Sequence, residues 1–128
     1  CREVECSVMG NLVPRAAEVV GEIAPAKEFY DYEAKYQDEN SRLMIPAPLS
    51  KETVAQIREY AVKAYRACEC RGLARVDFFV ERTTGEIFLN EINTLPGFTS
   101  ISMYPKLWAA SGMECGELLD CLIELAEE

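Results

Sequence analysis

Histidine is absent from the 128-residue chain, and basic side chains are few, with 13 Lys and Arg against 22 Asp and Glu. Without imidazole the chain cannot build a His-based catalytic triad or a His-ligated metal site. The formal net charge of −9 argues against nucleic acid or an anionic membrane as a partner, because phosphate groups bind basic surfaces. No apolar run approaches the roughly 18 residues that a membrane span requires. The composition, 49% hydrophobic and 27% charged, is that of one folded domain with one core.

The six cysteines are too sparse for a small secreted scaffold that disulfides hold together. Cys68 and Cys70 do not have the spacing of a zinc knuckle, and no second pair matches them. We therefore expect reduced, partly buried thiols in a cytoplasmic protein. The even number of cysteines leaves a disulfide framework open as the alternative.

The first residues alternate in the manner of a strand, since Val4, Cys6 and Val8 share one face at a period of two. A natural protein rarely starts in the middle of a strand. We therefore expect the chain to be a piece of a longer protein, with residues 1–128 forming a single domain.

Two further short strands are predicted over Val19–Ile23 and Leu43–Ile45, each followed by a proline that cannot donate to a ladder. Between them, Phe29–Arg42 is polar and aromatic with little periodicity, which predicts a long loop. Loops of this length in a compact domain are usually functional or disordered. We expect this one to be mobile without a ligand.

Three helices are predicted in the rest of the chain. The first has Ser50 as its N-cap and Gly72 as its C-terminal stop. The other two are a short helix over Pro105–Ser111 and an amphipathic helix from Cys115 to Ala126. Apolar residues at helical spacing support the first helix: Val54, Ile57, Ala61, Ala64, Tyr65 and Cys68.

A β-hairpin is predicted from two runs of β-branched and aromatic residues, Leu73–Glu81 and Glu86–Ile92. Thr83-Thr84-Gly85 between them suits a three-residue loop, in which glycine takes the last, left-handed position. That loop pairs Arg82 with Glu86 and sets the register of the whole hairpin.

This register brings four polar side chains to one face of the sheet, because it places Asp77 opposite Glu91 and Arg75 opposite Asn93. Two opposed carboxylates repel, and a divalent cation relieves that repulsion. Ligation by oxygen alone favours Mg²⁺ or Mn²⁺ over zinc, and magnesium with few carboxylates usually takes phosphate oxygens as well. The alternative, which the residues leave open, is a structural salt bridge from Arg75 to one of the carboxylates.

A loop rich in hydroxyl groups follows directly, over residues 94–102, around a Pro96-Gly97 turn. Gly97 allows close approach to the backbone, and its N–H is a candidate oxyanion donor. An ordinary type II turn is the alternative for the Pro-Gly pair.

Four segments together resemble the D-alanine–D-alanine ligases, members of the ATP-grasp superfamily: residues 29–36 (FYDYEAKY), 72–79 (GLARVDFF), 90–99 (NEINTLPGFT) and 102–106 (SMYPK). The resemblance implies an α+β fold, the C-terminal part of an ATP-grasp fold, with a mainly antiparallel sheet flanked by helices. It also implies that the N-terminal domain and most of the central domain are absent from the chain.

The resemblance further implies roles for single residues. Asp77 would hold one Mg²⁺ or Mn²⁺, Glu91 would bridge two ions and Asn93 would complete the second. Arg75 and the Gly97 N–H would stabilise an oxyanion.

Other residues would contact the substrates. Ser102 and the backbone of Met103 would position the carboxylate of a second D-alanine, with Ser102 also among the catalytic groups. Tyr36 would close over the site. The residues that would bind ATP are Glu3, Phe29, Tyr30, Lys35, Phe79, Leu89 and Asn90, with Lys35 reaching a phosphate.

The implied function is the ATP-dependent joining of two D-alanines through an acyl phosphate, for peptidoglycan precursor synthesis. The implied partners are D-alanine and ATP, and the full-length protein would be a homodimer. A ligase that joins D-alanine to D-lactate or D-serine is one alternative, and the Glu33–Tyr36 pattern favours D-alanine. The other alternative is a folded module that has no activity by itself, and we expect the isolated chain to show little turnover.

Overall fold

The computed structural model describes residues 1–24 and 43–128. In chain order the strands and helices are β1 (Arg2–Met9), β2 (Arg15–Ala16), β3 (Gly21–Ile23), β4 (Leu43–Met44), α1 (Lys51–Ala67), β5 (Leu73–Val80), β6 (Ile87–Asn93), α2 (Met103–Ala110) and α3 (Cys115–Glu127). The sheet has the order β4-β3-β1-β5-β6, with β2 paired to β1, and every pairing is antiparallel. The predicted α+β class with a mainly antiparallel sheet is confirmed.

Helix α1 covers one face of the sheet, against the alternating apolar residues of β1 and β5. The helix begins as predicted at Ser50, whose hydroxyl accepts a hydrogen bond from the Thr53 N–H at 3.2 Å. It ends at Ala67, so the prediction that it runs to Gly72 was wrong. The chain turns earlier, because Glu69 takes the left-handed conformation at φ 54°. The buried contacts on this face include Val4, Cys6, Val8, Ile57, Ala61, Tyr65, Val76 and Phe78.

Helices α2 and α3 cover part of the opposite face, near the end of β1. Met9, Leu107, Trp108 and Leu118 pack together there. Helix α2 starts two residues before the predicted Pro105, and α3 follows its prediction closely. Leu118 is the buried anchor of α3.

The hairpin has a four-residue loop rather than the predicted three-residue loop. Glu81 N–H donates to the Glu86 carbonyl at 2.8 Å, so Glu81, not Arg82, pairs with Glu86. The register then shifts by one residue between Asp77 and Phe78, which inserts Asn90 as a β-bulge in β6. The two differences cancel. Beyond the bulge the register is the predicted one.

The six cysteines are free thiols, as predicted. Within the described residues, no helix is both long enough and apolar enough to cross a membrane.

Candidate functional site

The face of the sheet opposite α1 carries a row of three carboxylates, one from each of three neighbouring strands. Glu5 of β1 pairs with Asp77 of β5, and Asp77 pairs with Glu91 of β6. We call these three residues the carboxylate row. The pairing of Asp77 with Glu91 is the one that the turn predicted.

A second row lies beside the first, because alternate residues of each strand point the same way. In it Arg75 pairs with Ser7 on one side and with Asn93 on the other. Ser7 is fully buried and its hydroxyl donates to the Tyr104 carbonyl at 3.1 Å. This bond ties the sheet to α2, which covers the end of this face.

Arg75 binds two members of the carboxylate row. Its Nε donates to Asp77 Oδ1 at 2.9 Å and its Nη2 donates to Asp77 Oδ2 at 3.0 Å. Its Nε also lies 3.1 Å from Glu5 Oε1. The salt bridge that the sequence left open is therefore present, and it engages Asp77 rather than Glu91.

One guanidinium faces three carboxylates, and among these the ionisation of the buried Glu5 is perturbed. Burial, reinforced by the Asp77 carboxylate, raises the pKa of Glu5 from its ordinary 4.5 to about 7, although Arg75 opposes the shift. The hydrogen bond to Asp77 raises the pKa of Arg75, so the guanidinium stays charged. A further cation would find excess negative charge here.

The donor types on this face are those that a hard divalent cation prefers. Asp77 and Glu91 are opposed, and Asn93 follows two residues after Glu91 on the same strand. The Asn93 Oδ1 accepts a hydrogen bond from the Leu95 N–H at 3.1 Å, which holds the amide at the start of the next loop. In residues 1–24 and 43–128, no group of three or more His, Cys, Asp or Glu side chains is arranged to hold a metal ion. Arg75 instead holds Asp77, whose carboxylate has acceptor sites for a cation as well.

A cavity of about 300 Å³ adjoins the carboxylate row. Four predicted site residues line it, and Glu5 joins them. The lining consists of Glu5, Ile23, Leu43, Arg75, Gly97, Thr99, Ile101, Ser102 and Met103. The structure thus brings together the polar strand residues and the loop that the sequence predicted.

The loop before α2 is held by the Ser102 hydroxyl, which accepts a hydrogen bond from the Thr99 N–H at 3.1 Å and lies 2.8 Å from Thr99 Oγ1. Ser102 is the N-cap residue of α2, but its side chain makes no capping bond. A Cβ on Gly97 would lie 3.0 Å from Ser102 Oγ. Glycine at position 97 therefore lets the loop fold tightly around this hydroxyl.

Strand β3 forms the wall beneath the start of α2. Gly21 pairs with Glu5, and a Cβ on Gly21 would lie 2.4 Å from Met103 Sδ. The missing side chain therefore leaves the room that Met103 occupies, and Met103 lines the cavity.

Two predicted nucleotide-binding residues lie beside the carboxylate row. Glu3 pairs with Phe79, and each lies two residues along its strand from Glu5 and Asp77, on the same face of the sheet. Leu89 pairs with Phe78, and Phe78 is buried against α1. Paired residues lie on the same face of a sheet, so Leu89 is on the α1 face and not on the face of the carboxylate row. The bulge shifts the alternation by one residue, and Phe88 is the residue that pairs with Phe79.

The exposed Asn90 is the bulged residue itself. Phe29, Tyr30, Lys35 and Tyr36 lie outside the described residues.

The sequence analysis did not predict that Glu5 and Phe88 lie on this face of the sheet. Glu5 carried a signal, because Glu3, Glu5 and Ser7 alternate with the apolar residues of β1. Placing Glu5 at the site also requires the pairing of β1 with β5. The position of Phe88 could not be predicted, because it depends on a β-bulge that contains no glycine and that no sequence pattern indicates.

The comparisons with known proteins agree with one another. The family described as D-ala D-ala ligase C-terminus matches residues 1–124. The D-alanine–D-alanine ligase of Ruminiclostridium cellulolyticum is 64% identical over 99% of this chain and 34% of its own length. That of Acetivibrio thermocellus is 62% identical over 98% of this chain and 33% of its own length. The chain therefore spans about a third of these relatives.

Solved structures show the same fold. The D-alanine–D-alanine ligase of Coxiella burnetii is 44% identical, with a TM-score of 0.80 over 98% of this chain and 31% of its own. The VanG D-Ala:D-Ser ligase of Enterococcus faecalis is 40% identical, with a TM-score of 0.80 over 97% of this chain and 36% of its own. Both similarities cover nearly the whole of the present chain.

Proposed function

We propose that this chain, which belongs to the family of D-alanine–D-alanine ligase C-terminal domains, carries the phosphate-binding and acceptor-binding half of an ATP-dependent ligase that joins two D-alanines. The observation that carries the proposal is Arg75, which lines the cavity and also binds the carboxylate row. A single guanidinium thereby connects a place for metal-bound phosphates with a place for a small amino acid.

Two members of the carboxylate row, Asp77 and Glu91, would supply donors for two Mg²⁺ or Mn²⁺ ions together with Asn93. Asp77 would hold one ion, Glu91 would contribute to both and Asn93 would complete the second. When bound, such ions neutralise the charge of the transferring phosphoryl group. The chain itself contributes a fixed arrangement of these donors, since Asp77 and Glu91 are paired across adjacent strands.

In the proposed reaction, the carboxylate of the first D-alanine takes the γ-phosphoryl group of ATP, which gives an acyl phosphate and ADP. The ammonium group of the second D-alanine gives one proton to solvent, and the resulting amine attacks the acyl carbon. Inorganic phosphate leaves and takes up the second proton, which the nitrogen loses as the amide forms. Arg75 and the Gly97 N–H border the cavity in which the oxyanion of this second step would form. Loss of one such donor typically raises the barrier by about 3 to 4 kcal/mol.

The start of α2 would bind the carboxylate of the second D-alanine through Ser102 and the Met103 N–H. The first N–H groups of a helix have no partner within the helix, and they favour an anion. The tight loop from Gly97 to Ser102 supports this role, because it holds the Ser102 hydroxyl at the cavity wall.

ATP would lie along the same face, over Glu3 and Phe79, with Asn90 at its edge. Phe29, Tyr30 and Lys35 would complete this site, and Tyr36 would close over the acceptor. Leu89 remains a weaker candidate, because its register pairs it with a residue of the opposite face. We further propose a cytoplasmic, homodimeric ligase in peptidoglycan precursor synthesis, with no nucleic-acid or membrane partner.

A second candidate is a ligase with a different acceptor, which the similarity to a D-Ala:D-Ser ligase supports. The test uses a full-length protein that carries this chain, supplied with ATP, Mg²⁺, D-alanine and one competing acceptor, either D-serine or D-lactate. Mass spectrometry should show D-alanyl-D-alanine as the main product, with one phosphate released for each bond. A predominance of D-alanyl-D-serine or D-alanyl-D-lactate would favour the second candidate. Absence of any ligation product would contradict both.

A further inference from the structure

Glu5 is a buried carboxylate that no step of the proposed reaction uses. The residue is 6% exposed, and it nevertheless lines the cavity beside Arg75. A buried carboxylate costs free energy unless donors or cations satisfy its oxygens. The presence of Glu5 at this position therefore calls for a positively charged partner.

Among the described residues, the Glu5 carboxylate finds only part of the hydrogen bonds and ion pairs that its oxygens can accept. Arg75 Nε lies 3.1 Å from Glu5 Oε1, but the same Nε donates to Asp77 at 2.9 Å. The Nη2 of Arg75 also donates to Asp77. An ionised carboxylate offers about four acceptor sites. Glu5 therefore keeps acceptor capacity for a cation that enters the cavity.

The walls of the cavity favour a small amino acid over a hydrated metal ion at this place. Ile23, Leu43 and Met103 make part of the lining apolar, which suits a methyl group. A zwitterion can place its carboxylate at the start of α2 and its ammonium at Glu5.

We propose that Glu5 recognises the ammonium group of the second amino acid and thereby selects an amine over a hydroxyl as the acceptor. This inference rests on the proposed function and names a specificity contact in the same site. A hydroxy acid presents a neutral hydroxyl at this place and leaves Glu5 uncompensated. Charge-assisted hydrogen bonds of this kind discriminate by about 10- to 100-fold in affinity.

The test compares D-alanine and D-lactate as acceptors at pH 8 in the full-length ligase, as wild type and as Glu5→Gln. The KM for D-alanine as acceptor should rise about 10- to 100-fold, while the KM for D-lactate changes by less than about threefold. Glu5→Asp should restore part of the preference, because it keeps the charge. Glu18→Gln, which neutralises an exposed carboxylate, should leave both KM values unchanged.

An equal change in both KM values, or a fall in kcat alone for both acceptors, would show that Glu5 has only a structural role. Wild-type enzyme that forms no dipeptide would contradict the proposed function instead, so the two failures are distinguishable. If Glu5→Gln does not fold, the wild type still provides a test. Propanoate and D-lactate should then compete with the second D-alanine at least about tenfold more weakly than an amino acid of the same size, and equal competition would overturn the inference.

Discussion

Arg75 donates two hydrogen bonds to Asp77, from Nε to Oδ1 at 2.9 Å and from Nη2 to Oδ2 at 3.0 Å. The same carboxylate is the proposed ligand of the first metal ion. A cation and the guanidinium therefore compete for Asp77 electrostatically, although the carboxylate has acceptor sites for both. We therefore expect Arg75 to have opposite effects on metal binding and on turnover.

The Arg75→Gln variant should separate these two effects. Removing the positive charge should tighten Mn²⁺ binding by the chain about tenfold, because charges at this separation interact by a few kcal/mol at most. The same substitution should lower kcat in the full-length ligase at least about 100-fold, since it removes a proposed oxyanion donor. Calorimetry and steady-state kinetics measure the two quantities. The control variant Arg71→Gln removes the same charge at an exposed position and should change neither the Mn²⁺ affinity nor kcat. Weaker Mn²⁺ binding by Arg75→Gln would contradict the competition between the guanidinium and the metal ion.

The buried Glu5 should make the stability of the metal-free chain depend on pH. Its pKa is about 7 in the folded chain against an ordinary value of 4.5. Between these values the folded state binds more protons than the unfolded state, so the free energy of unfolding falls as pH rises. The loss should total about 3 kcal/mol, from a difference of about 2.5 pKa units at about 1.4 kcal/mol each, and be complete near pH 8.

Urea unfolding in a chelating buffer at several pH values measures this loss. The Glu5→Gln variant, which cannot ionise at this position, should lack that part of the decline. An equal decline in the variant and the wild type would assign it to other groups.

Gly21 is expected to tolerate no side chain without a cost. A Cβ there would meet Met103 Sδ at 2.4 Å and Leu107 Cδ2 at 3.1 Å. Gly21→Ala should lower the free energy of unfolding by about 1 to 3 kcal/mol, and it should raise the KM of the acceptor by displacing Met103 from the cavity wall. Gly116→Ala is the matched control, because a Cβ on Gly116 meets nothing within 4 Å and alanine favours a helix by about 1 kcal/mol. Equal effects of the two substitutions would contradict the packing at Gly21.

The N-cap of α1 allows a test of the fold that does not involve the site. Ser50→Ala removes the acceptor for the Thr53 N–H and should cost about 1 kcal/mol of stability. Ser50→Asp keeps an acceptor and should stay within about 0.5 kcal/mol of the wild type. Chemical unfolding of the wild type and the two variants would measure both changes in stability. The activity of a full-length protein should not change in either variant.

The sequence predicted those parts of the site that depend on local pairing. The turn between β5 and β6 correctly indicated that Asp77 lies opposite Glu91, although two differences of one residue cancel on the way. A four-residue loop displaces the pairing in one direction, and the bulge at Asn90 restores it. The agreement at the proposed metal donors thus depends on the bulge. The bulge also pairs Leu89, which only the resemblance suggested as an ATP-binding residue, with Phe78 of the opposite face.

The position of Glu5 could not be predicted in the same way. Its strand pairs with β5, which lies about seventy residues later in the chain and is joined to it by no short turn. Period-two alternation indicated which residues of β1 share a face, but not which strand lies beside them. Non-local pairing of this kind also builds the cavity, which combines β1, β3 and β5 with the loop before α2.

The most direct test of the metal and phosphate site is a Mn²⁺ titration of the isotope-labelled chain in the presence of ATP, followed by NMR. We predict paramagnetic broadening of the signals of residues 75–77 and 91–93, and its loss in an Asp77→Asn, Glu91→Gln double variant. Ser50→Asp serves as the control, because it leaves the site intact. Broadening that persists in the double variant, or that centres on residues away from the carboxylate row, would contradict the assignment of this face as the metal site.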